Sequence, residues 1–350
     1  MDAASAANIT MKPRLLVTLT PEYELRDPVQ RIVIAVITSF ISVIGIPGNI
    51  LVLTAVATST KLQTPTNAFV VNLAVTDLAT CFILPFIVVG LLNDVWPLPD
   101  PLCTVVGAVV LIGLWGSVLN LALIAFNRYY IITKPRCTYD KLYSKRNLAM
   151  MLSTAWIVST TVIILPTMFG IGGIGFSERY KVCATVSTNP YSDLYAILTS
   201  GLVQVPSLIV IVTCYVKIYR YITIKSLELF QNTERRFEMR KTYGNGPVNA
   251  ATFRRHVQVT KNLFIVICSY ILCIMPFSIA SLVPPSYPVM PWVSALLILN
   301  SCVNPIIYGL KHPQFQEAFK KIAPCYPCNR RMTTDQTKSS QAPANSSSMA

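Results

Sequence analysis

The sequence predicts an all-α membrane protein: a bundle of seven transmembrane helices followed by a short amphipathic helix on the membrane surface. Seven apolar segments each reach the roughly 20 residues that a helix needs to cross a bilayer. Charged residues make up only 13% of the 350 residues, about half of the share in soluble domains. The segments cover about 32–57, 66–92, 101–133, 147–167, 192–220, 256–284 and 290–310.

The distribution of basic residues predicts the orientation. Of the 29 Lys and Arg residues, six lie in segments assigned to the outside and 23 in segments assigned to the inside or its membrane edge. By the positive-inside rule, the N-terminus is outside and the C-terminus is in the cytoplasm. The net charge of +14 therefore lies mainly on the inner side, which favours contact with anionic lipid over nucleic-acid binding. We expect a multi-pass protein of the plasma membrane.

The polar segments complete the predicted organisation. Residues 1–31 form an extracellular tail, residues 32–310 the transmembrane domain, and residues 221–255 its third inner loop. Residues 311–322 place apolar residues at helical spacing beside basic ones, as a surface helix requires. Residues 323–350 form a Ser/Thr-rich cytoplasmic tail that we expect to be disordered.

Two short motifs lie in these polar regions. Asn8 begins the triplet Asn-Ile-Thr, which is a glycosylation acceptor on an outside tail and also occurs by chance. Cys325 and Cys328 form a Cys-x-x-Cys motif without a second pair or a nearby histidine. Palmitoylation at the inner leaflet is therefore favoured over a zinc site or a redox pair.

The third segment closes a long apolar run on Asn127, Arg128 and Tyr129. An arginine there is costly unless it reaches a membrane face or binds a partner. Cys103 lies 25 residues upstream, or ~38 Å along a helix, which is enough to place the two residues at opposite membrane faces. The alternative is that Arg128 only snorkels from the end of a helix.

Seven marks, one set on each segment and all in order, resemble the rhodopsin-like (class A) G-protein-coupled receptors. The resemblance covers about residues 32–322. The marks are Gly48-Asn49, Leu73-Ala-Val-Thr-Asp77, Cys103 with Asn127-Arg128-Tyr129, Trp156, Pro206, Cys273-Ile-Met-Pro276 and Asn304-Pro-Ile-Ile-Tyr308.

The resemblance implies a disulfide between Cys103 and Cys183, an extracellular ligand and a heterotrimeric G protein as partner. It also implies a set of inner residues that switch on activation. This set comprises Asn127, Arg128, Tyr129, Tyr215, His256, Pro276, Asn304, Pro305 and Tyr308. The Ser/Thr-rich tail favours control by a receptor kinase and arrestin, although many tails of this composition are only linkers.

The sequence departs from the family at several of these positions. Asn127 replaces the acid that usually precedes the arginine, and His256 replaces the acid at the foot of the sixth helix. Without an ion pair to hold Arg128, the resting state should be less locked, which predicts raised basal signalling. Ile274 stands where the family has a tryptophan. Tyr215 lies one residue farther from Pro206 than the family pattern expects.

Asp77 is the only carboxylate predicted near the middle of the membrane. Such a group must pair, bind an ion or take up a proton. The resemblance implies an allosteric sodium ion with Ser117, Asn300, Ser301 and Asn304 as neighbours. The alternative is an uncharged, hydrogen-bonded Asp77 without an ion. No other cofactor is expected.

The sequence limits the chemical class of the ligand mainly by lacking the residues that some known ligand classes require. Val110 stands where monoamine receptors have an aspartate, and no lysine lies between Lys261 and Lys311 to form the Schiff base of an opsin. The predicted lining favours a small neutral or lipid-like ligand, and a peptide contacting Glu178 and Arg179 is the alternative. This lining comprises Val110, Leu111, Leu114, Trp115, Phe277, Ser281, Trp292 and Ser294, any of which could instead be packing core.

Within the family, the chain is most similar to melatonin receptors and their orphan relatives. The Asn-Arg-Tyr triplet and Tyr139-Asp-Lys-Leu-Tyr-Ser144 carry this resemblance. The insect trapped-in-endoderm and moody receptors share the triplet and the Leu-Pro-Thr seen at 165–167. Thr167 and Gly175 replace melatonin-pocket residues, so a different pocket is expected. A transporter or channel would need repeats or a path of charges, and an enzyme a catalytic set; neither pattern is found.

Overall fold

Helices dominate the structure. The computed structural model describes residues 23–186, 191–239, 268–281 and 287–322, with the backbone alone for Asp193 and residues 226–239. In chain order the elements are α1 (Pro28–Thr58), a 3-10 turn (Thr60–Leu62), α2 (Pro65–Leu92), α3 (Asp100–Thr133), α4 (Arg136–Leu142), α5 (Lys145–Met168), β1 (Ile174–Ser177), β2 (Val182–Thr185), α6 (Ser192–Thr199), a π turn (Ser200–Gln204), α7 (Val205–Met239), α8 (Cys268–Ser281), α9 (Met290–Lys311) and α10 (Pro313–Ile322).

The membrane-spanning helices follow the apolar segments of the sequence. Across the described ranges, six helical stretches are long and apolar enough to cross a membrane, and α8 is a shorter apolar helix. One of the six stretches, Leu194–Lys225, combines most of α6 with the π turn and the first part of α7. These helices and the short helix α10 agree with the predicted bundle and surface helix.

Local sequence signals explain where several helices begin. Asp27 before α1, Thr64 before α2 and Ser144 before α5 each accept a hydrogen bond from a backbone N–H in the first turn. Such caps satisfy donors that have no partner within the helix. Pro28 and Pro65 occupy the first helical position, where a missing N–H costs nothing.

The π turn lies directly before a proline. Pro206 cannot donate to the carbonyl four residues earlier, which would break a regular helix inside the membrane. The chain instead widens over Ser200–Gln204, and the N–H of Val205 donates to the carbonyl of Ser200. The wider turn keeps the span continuous through the proline.

The second outer loop adds a short β-hairpin to the helical bundle. Strands β1 and β2 pair antiparallel, with Phe176 opposite Cys183. The disulfide between Cys183 and Cys103 attaches this hairpin to the outer end of α3, as the family resemblance implied. The sequence did not predict the strands because four-residue strands, held by backbone bonds and one covalent link, leave no clear hydrophobic period.

Small residues allow α2 and α3 to approach closely. A Cβ atom built on Gly113 of α3 would overlap Oγ1 of Thr80 on α2. Thr80 is fully buried, and its hydroxyl donates to the carbonyl of Thr76 at 3.0 Å. Because threonine is β-branched and this hydroxyl is engaged, the side chain cannot turn away without losing a buried hydrogen bond.

We predict that Gly113→Ala destabilises the protein by about 1–3 kcal/mol, the usual range for an overpacked core. Thermal unfolding of the purified protein should show a lower midpoint. Gly201→Ala is the matched control, because nothing lies within 4 Å of a Cβ at that position. An equal midpoint for Gly113→Ala and the unchanged protein would contradict the close approach of α2 and α3.

Candidate functional site

Arg128 lies at the inner end of α3 and is buried, with 7% of its surface exposed. This burial rules out the alternative of a snorkelling end residue, which keeps its charge in water. The guanidinium interacts electrostatically with the hydroxyls of Tyr139, Tyr215 and Tyr308. Among the residues that the structure describes, no carboxylate forms a salt bridge with Arg128. The charge therefore lies near tyrosine side chains and not in a salt bridge with a described carboxylate.

Asn127 is fully buried beside this arginine. Its Oδ1 accepts a hydrogen bond of 2.7 Å from the hydroxyl of Thr66, and its Nδ2 donates to the hydroxyl of Tyr139 at 3.2 Å. An amide can accept and donate at once, whereas a carboxylate can only accept. Asn127 thus links α3 to α2 and α4 and brings no negative charge to Arg128.

Several polar atoms at the inner end are buried without a hydrogen-bond partner among the described residues. They are Nε of Arg128, the hydroxyl of Tyr308 and Nδ1 of His312. Burial and the positive charge of Arg128 lower the pKa of His312 to about 4, so its ring is neutral at pH 7. An unsatisfied buried polar group costs about 1–3 kcal/mol. A partner entering from the inside could satisfy these atoms.

Asp77 occupies the middle of the bundle and is completely buried. Its two carboxylate oxygens accept hydrogen bonds from Ser117 on α3 at 2.8 Å and from the Asn304 amide on α9 at 3.0 Å. The side chain of Ser301 supplies a further hydrogen bond. The structure therefore brings Asp77 together with three of its four predicted neighbours.

Two buried oxygens near this network accept no hydrogen bond from the described residues. They are Oδ1 of Asn304 and Oδ1 of Asn300. The two residues are four apart on α9 and therefore share a helix face. Of the two, only Asn304 also contacts the Asp77 carboxylate, and amide and carboxylate oxygens are suitable ligands for a hard cation.

The predicted ligand-lining residues fall into two groups. Val110 and Trp115 are buried, and Leu111, Leu114, Phe277 and Ser294 are partly buried. Trp292 is 38% exposed, and the exposed hydroxyl of Ser281 donates back to the carbonyl of Phe277 on its own helix. The structure therefore places the first group in or against the core and does not bury Trp292 or Ser281.

Comparison with known proteins identifies the family. The model of the family "7 transmembrane receptor (rhodopsin family)" matches residues 48–308, which is more than half of the chain. The chain belongs to this receptor family.

Relatives and a solved structure agree with this assignment. The receptor is 28% identical over 317 residues to melatonin receptor type 1B-B of Danio rerio, covering 87% of this chain and 86% of that one. It is 24% identical to the G-protein coupled receptor moody of Drosophila pseudoobscura pseudoobscura, covering 85% and 53%. The crystal structure of squid rhodopsin has a TM-score of 0.74 at 21% identity and covers 93% and 97%, which confirms the seven-helix fold.

Some predicted site residues lie outside the described part of the receptor. These are Asn8, His256, Cys325 and Cys328. Among the described switch residues, Tyr215 is brought to Arg128 despite its shifted position in the sequence, and Pro276 lies within α8.

The sequence reasoning missed several residues of the receptor core. Thr66 and Tyr139 were not identified as partners of Asn127, nor His312 as a buried neighbour of the inner switch. Gln204 on the π turn donates a hydrogen bond to the hydroxyl of Ser278 on α8. Polar residues inside apolar segments were the available signal for Gln204 and Ser278, because such groups need partners in a membrane.

On the outer face, the segment that precedes α1 binds to the hairpin. The N–H of Leu25 donates to the carbonyl of Arg179 at 2.8 Å, and the Leu25 side chain is only 1% exposed. Glu24 forms an ion pair of 2.6 Å with Lys181. The Lys181 ammonium also donates to the carbonyl of Asp94, which links the segment to the loop after α2.

We predict that Glu24 fixes this segment in a pH-dependent way. Hydrogen bonds from Lys181 and Arg26 lower the pKa of Glu24 below its ordinary value of 4.5. A lowered pKa stabilises the docked state above pH 4.5, and this contribution is lost as the pH falls through the pKa of the docked state. Hydrogen exchange of the Leu25 amide, corrected for intrinsic rates, should therefore be faster in Glu24→Gln at pH 7.

The difference between the variant and the unchanged receptor should shrink as the pH falls through the lowered pKa of Glu24, since protonated Glu24 no longer forms an ion pair with Lys181. Glu178→Gln is the matched control because it removes an exposed carboxylate from the same outer face. Equal protection of Leu25 with and without Glu24 at pH 7 would show that the ion pair does not fix the segment.

Proposed function

We propose that this receptor acts at the plasma membrane, with its N-terminus outside and its C-terminus in the cytoplasm. It binds an extracellular ligand between the outer halves of its helices and activates a heterotrimeric G protein at their inner ends. The observation that carries the proposal is the buried Arg128, held by dipoles and surrounded by polar atoms that lack partners. A receptor of this kind acts by shifting the population of its conformations.

The inner end supports a docking role for the G protein. A peptide that enters the bundle offers carbonyl and carboxylate oxygens, which are the acceptors that a guanidinium binds best. Arg128 need not break a salt bridge with a described carboxylate to meet them. The same arrangement supports raised basal signalling, because the resting state gains no ion-pair energy from Arg128.

The ligand we propose is small and neutral or lipid-like. The buried and partly buried members of the predicted lining are apolar or aromatic, apart from Ser294. No charged side chain among the described residues is buried with them in the outer half of the bundle, apart from Arg31 and Lys181 at its rim. A charged ligand would lose its hydration there without a counter-ion. This sequence lacks the pocket residues that melatonin and monoamine receptors use. A ligand of either kind would therefore need different contacts in this receptor.

We also propose that Asp77 holds a sodium ion, because its surroundings suit one. Ser117, Ser301 and Asn304 contact the carboxylate, and the free Oδ1 atoms of Asn300 and Asn304 supply acceptors for a cation. The ion would supply the positive charge that Asp77 otherwise lacks inside the bundle.

Regulation is proposed from the sequence alone. The Ser/Thr-rich tail provides sites for a receptor kinase and for arrestin, and Cys325 and Cys328 provide sites for palmitate. Asn8 provides a glycosylation site. Mass spectrometry of the receptor from cultured animal cells tests these three modifications together.

We predict that Arg128→Ala abolishes signalling at equal surface expression. Any change in cyclic AMP and calcium that the unchanged receptor causes, read in cultured cells without ligand and then with a panel of lipids and indoles, should disappear, so that both levels match those of untransfected cells. Arg26→Ala is the matched control because it removes an exposed arginine from the outer face. An undiminished signal from Arg128→Ala would contradict the proposed role of the inner end.

A separate variant tests the agonist-free part of the signal. Asn127→Asp places a carboxylate beside Arg128 and should lower agonist-free signalling toward background, because an ion pair then stabilises the resting state. If the unchanged receptor shows no agonist-free signal above untransfected cells, the hypothesis of raised basal activity is wrong.

We predict that sodium stabilises the receptor through Asp77. A ligand that binds only the folded state at 100 times its Kd adds about 2.7 kcal/mol, so the unfolding midpoint should rise in sodium chloride relative to choline chloride. Asp77→Asn should abolish the difference. Asp140→Asn, which removes a surface carboxylate on α4, should retain it. A sodium effect of equal size in Asp77→Asn would place the ion elsewhere.

A further inference from the structure

A groove of about 360 Å³ lies between α3, α5 and α7. Its walls include Ala122 and Phe126 of α3, Val158 of α5, and Pro206 and Val210 of α7. The lining is almost entirely apolar, and all three helices cross the membrane. The groove therefore offers space for a hydrocarbon chain.

The walls continue from this groove toward the inner membrane edge. On α3, the ring of Phe126 packs against Tyr130 at 4.8 Å between centroids, and Tyr130 packs against Tyr129 at 5.5 Å. On α7, Lys217 lies seven residues beyond Val210 and so shares its helix face, ~10 Å farther inward. The groove thus leads along both helices to one small region.

Two positive charges meet in that region. The ammonium groups of Lys134 and Lys217 lie 5.7 and 5.6 Å from the centroid of the Tyr129 ring. The cation–π contacts hold both lysines near one aromatic ring. Both side chains are exposed, and neither pairs with a carboxylate among the residues whose side chains the structure describes.

We propose that this groove and the two lysines form a binding site for an anionic phospholipid of the inner leaflet. One acyl chain lies in the groove, and the phosphate lies between Lys134 and Lys217. Such a lipid combines an apolar chain with a negative headgroup at the depth where the receptor combines an apolar groove with two cations. A sterol would leave the lysines unpaired, and free phosphate would leave the groove unfilled.

The lipid would also connect two helices beside the inner switch. Tyr129 directly follows Arg128 on α3, and Lys217 is two residues after Tyr215 on α7. A phosphate held by Lys134 and Lys217 therefore favours a short distance between α3 and α7 at this level. The site needs neither the extracellular ligand nor the G protein, so its test is independent of signalling.

The test measures lipid selectivity of the full-length receptor reconstituted in phosphatidylcholine. Electron spin resonance of spin-labelled phosphatidylserine and phosphatidylcholine gives the association of each lipid with the protein. We expect a preference for phosphatidylserine that falls about fivefold for each lysine changed in Lys134→Gln and Lys217→Gln. Lys61→Gln with Lys320→Gln is the matched control, because both lysines are exposed near α10.

The groove is tested separately with both lysines intact. Val210→Trp fills the groove and should lower phosphatidylserine association, whereas Val212→Trp, an exposed position outside the groove, should not. If Val210→Trp fails to fold, Val158→Phe fills the same space from α5. Soluble glycerophosphoserine added in excess should displace little of the lipid, since it has no chain.

Four results would overturn the proposal. Equal lipid selectivity in the lysine double variant and in its control would show that the two lysines are not part of the site. Equal association of both lipids with the unchanged receptor would show that the site does not select an anionic headgroup. Full displacement by glycerophosphoserine, or no effect of filling the groove, would leave a headgroup site without an acyl chain.

Discussion

A carboxylate buried in the middle of the membrane constrains how the helices of this receptor pack. Asp77 on α2 has no cationic side chain in contact within the described residues, so hydrogen-bond donors must come from neighbouring helices. Ser117 on α3 and Asn304 on α9 reach it at 2.8 and 3.0 Å. These distances require α2 to lie close to both helices at the same level. The small residue Gly113 permits that approach on α3, one turn from Ser117.

At the inner end, the requirement that a buried charge find partners is met in a different way. Arg128 is buried like Asp77, yet the described groups around it offer dipoles rather than an opposite charge. Asn127 directs its hydrogen bonds to Thr66 and Tyr139, so it stabilises helix packing without pairing with the arginine. The carboxylate of Asp77 thus receives hydrogen bonds from two helices, while Nε of Arg128 has no hydrogen-bond partner among the described residues. A hydrogen-bond acceptor that reaches Arg128 at this end of the bundle gains more there than it would against a closed ion pair.

The sequence predicted the features that depend on composition and on short motifs. Apolar length gave the helices, and family motifs gave the Cys103–Cys183 disulfide and most of the Asp77 network. It did not predict the hairpin, because backbone pairing has no side-chain signature, or the contact of Leu25 with Arg179, because those residues are far apart in the chain. The rotation of each helix about its axis could not be predicted either. Trp292 and Phe277 are both large aromatic residues in the sequence, but packing against neighbouring helices leaves Trp292 exposed and Phe277 partly buried.

Two sides of α3 connect the buried Arg128 to the membrane-facing edge of the bundle. Consecutive residues on a helix point about 100° apart, so Arg128 turns into the bundle while Tyr129 contacts lysines at its edge. On α7, Tyr215 and Lys217 divide in the same way between the arginine and the edge. Whatever binds at the edge and brings the two lysines together therefore acts on the same helix pair that surrounds Arg128. Suppose that binding at the edge changes the affinity of a partner at the inner end by some factor. By thermodynamic linkage, that partner must change the affinity of the edge for its ligand by the same factor.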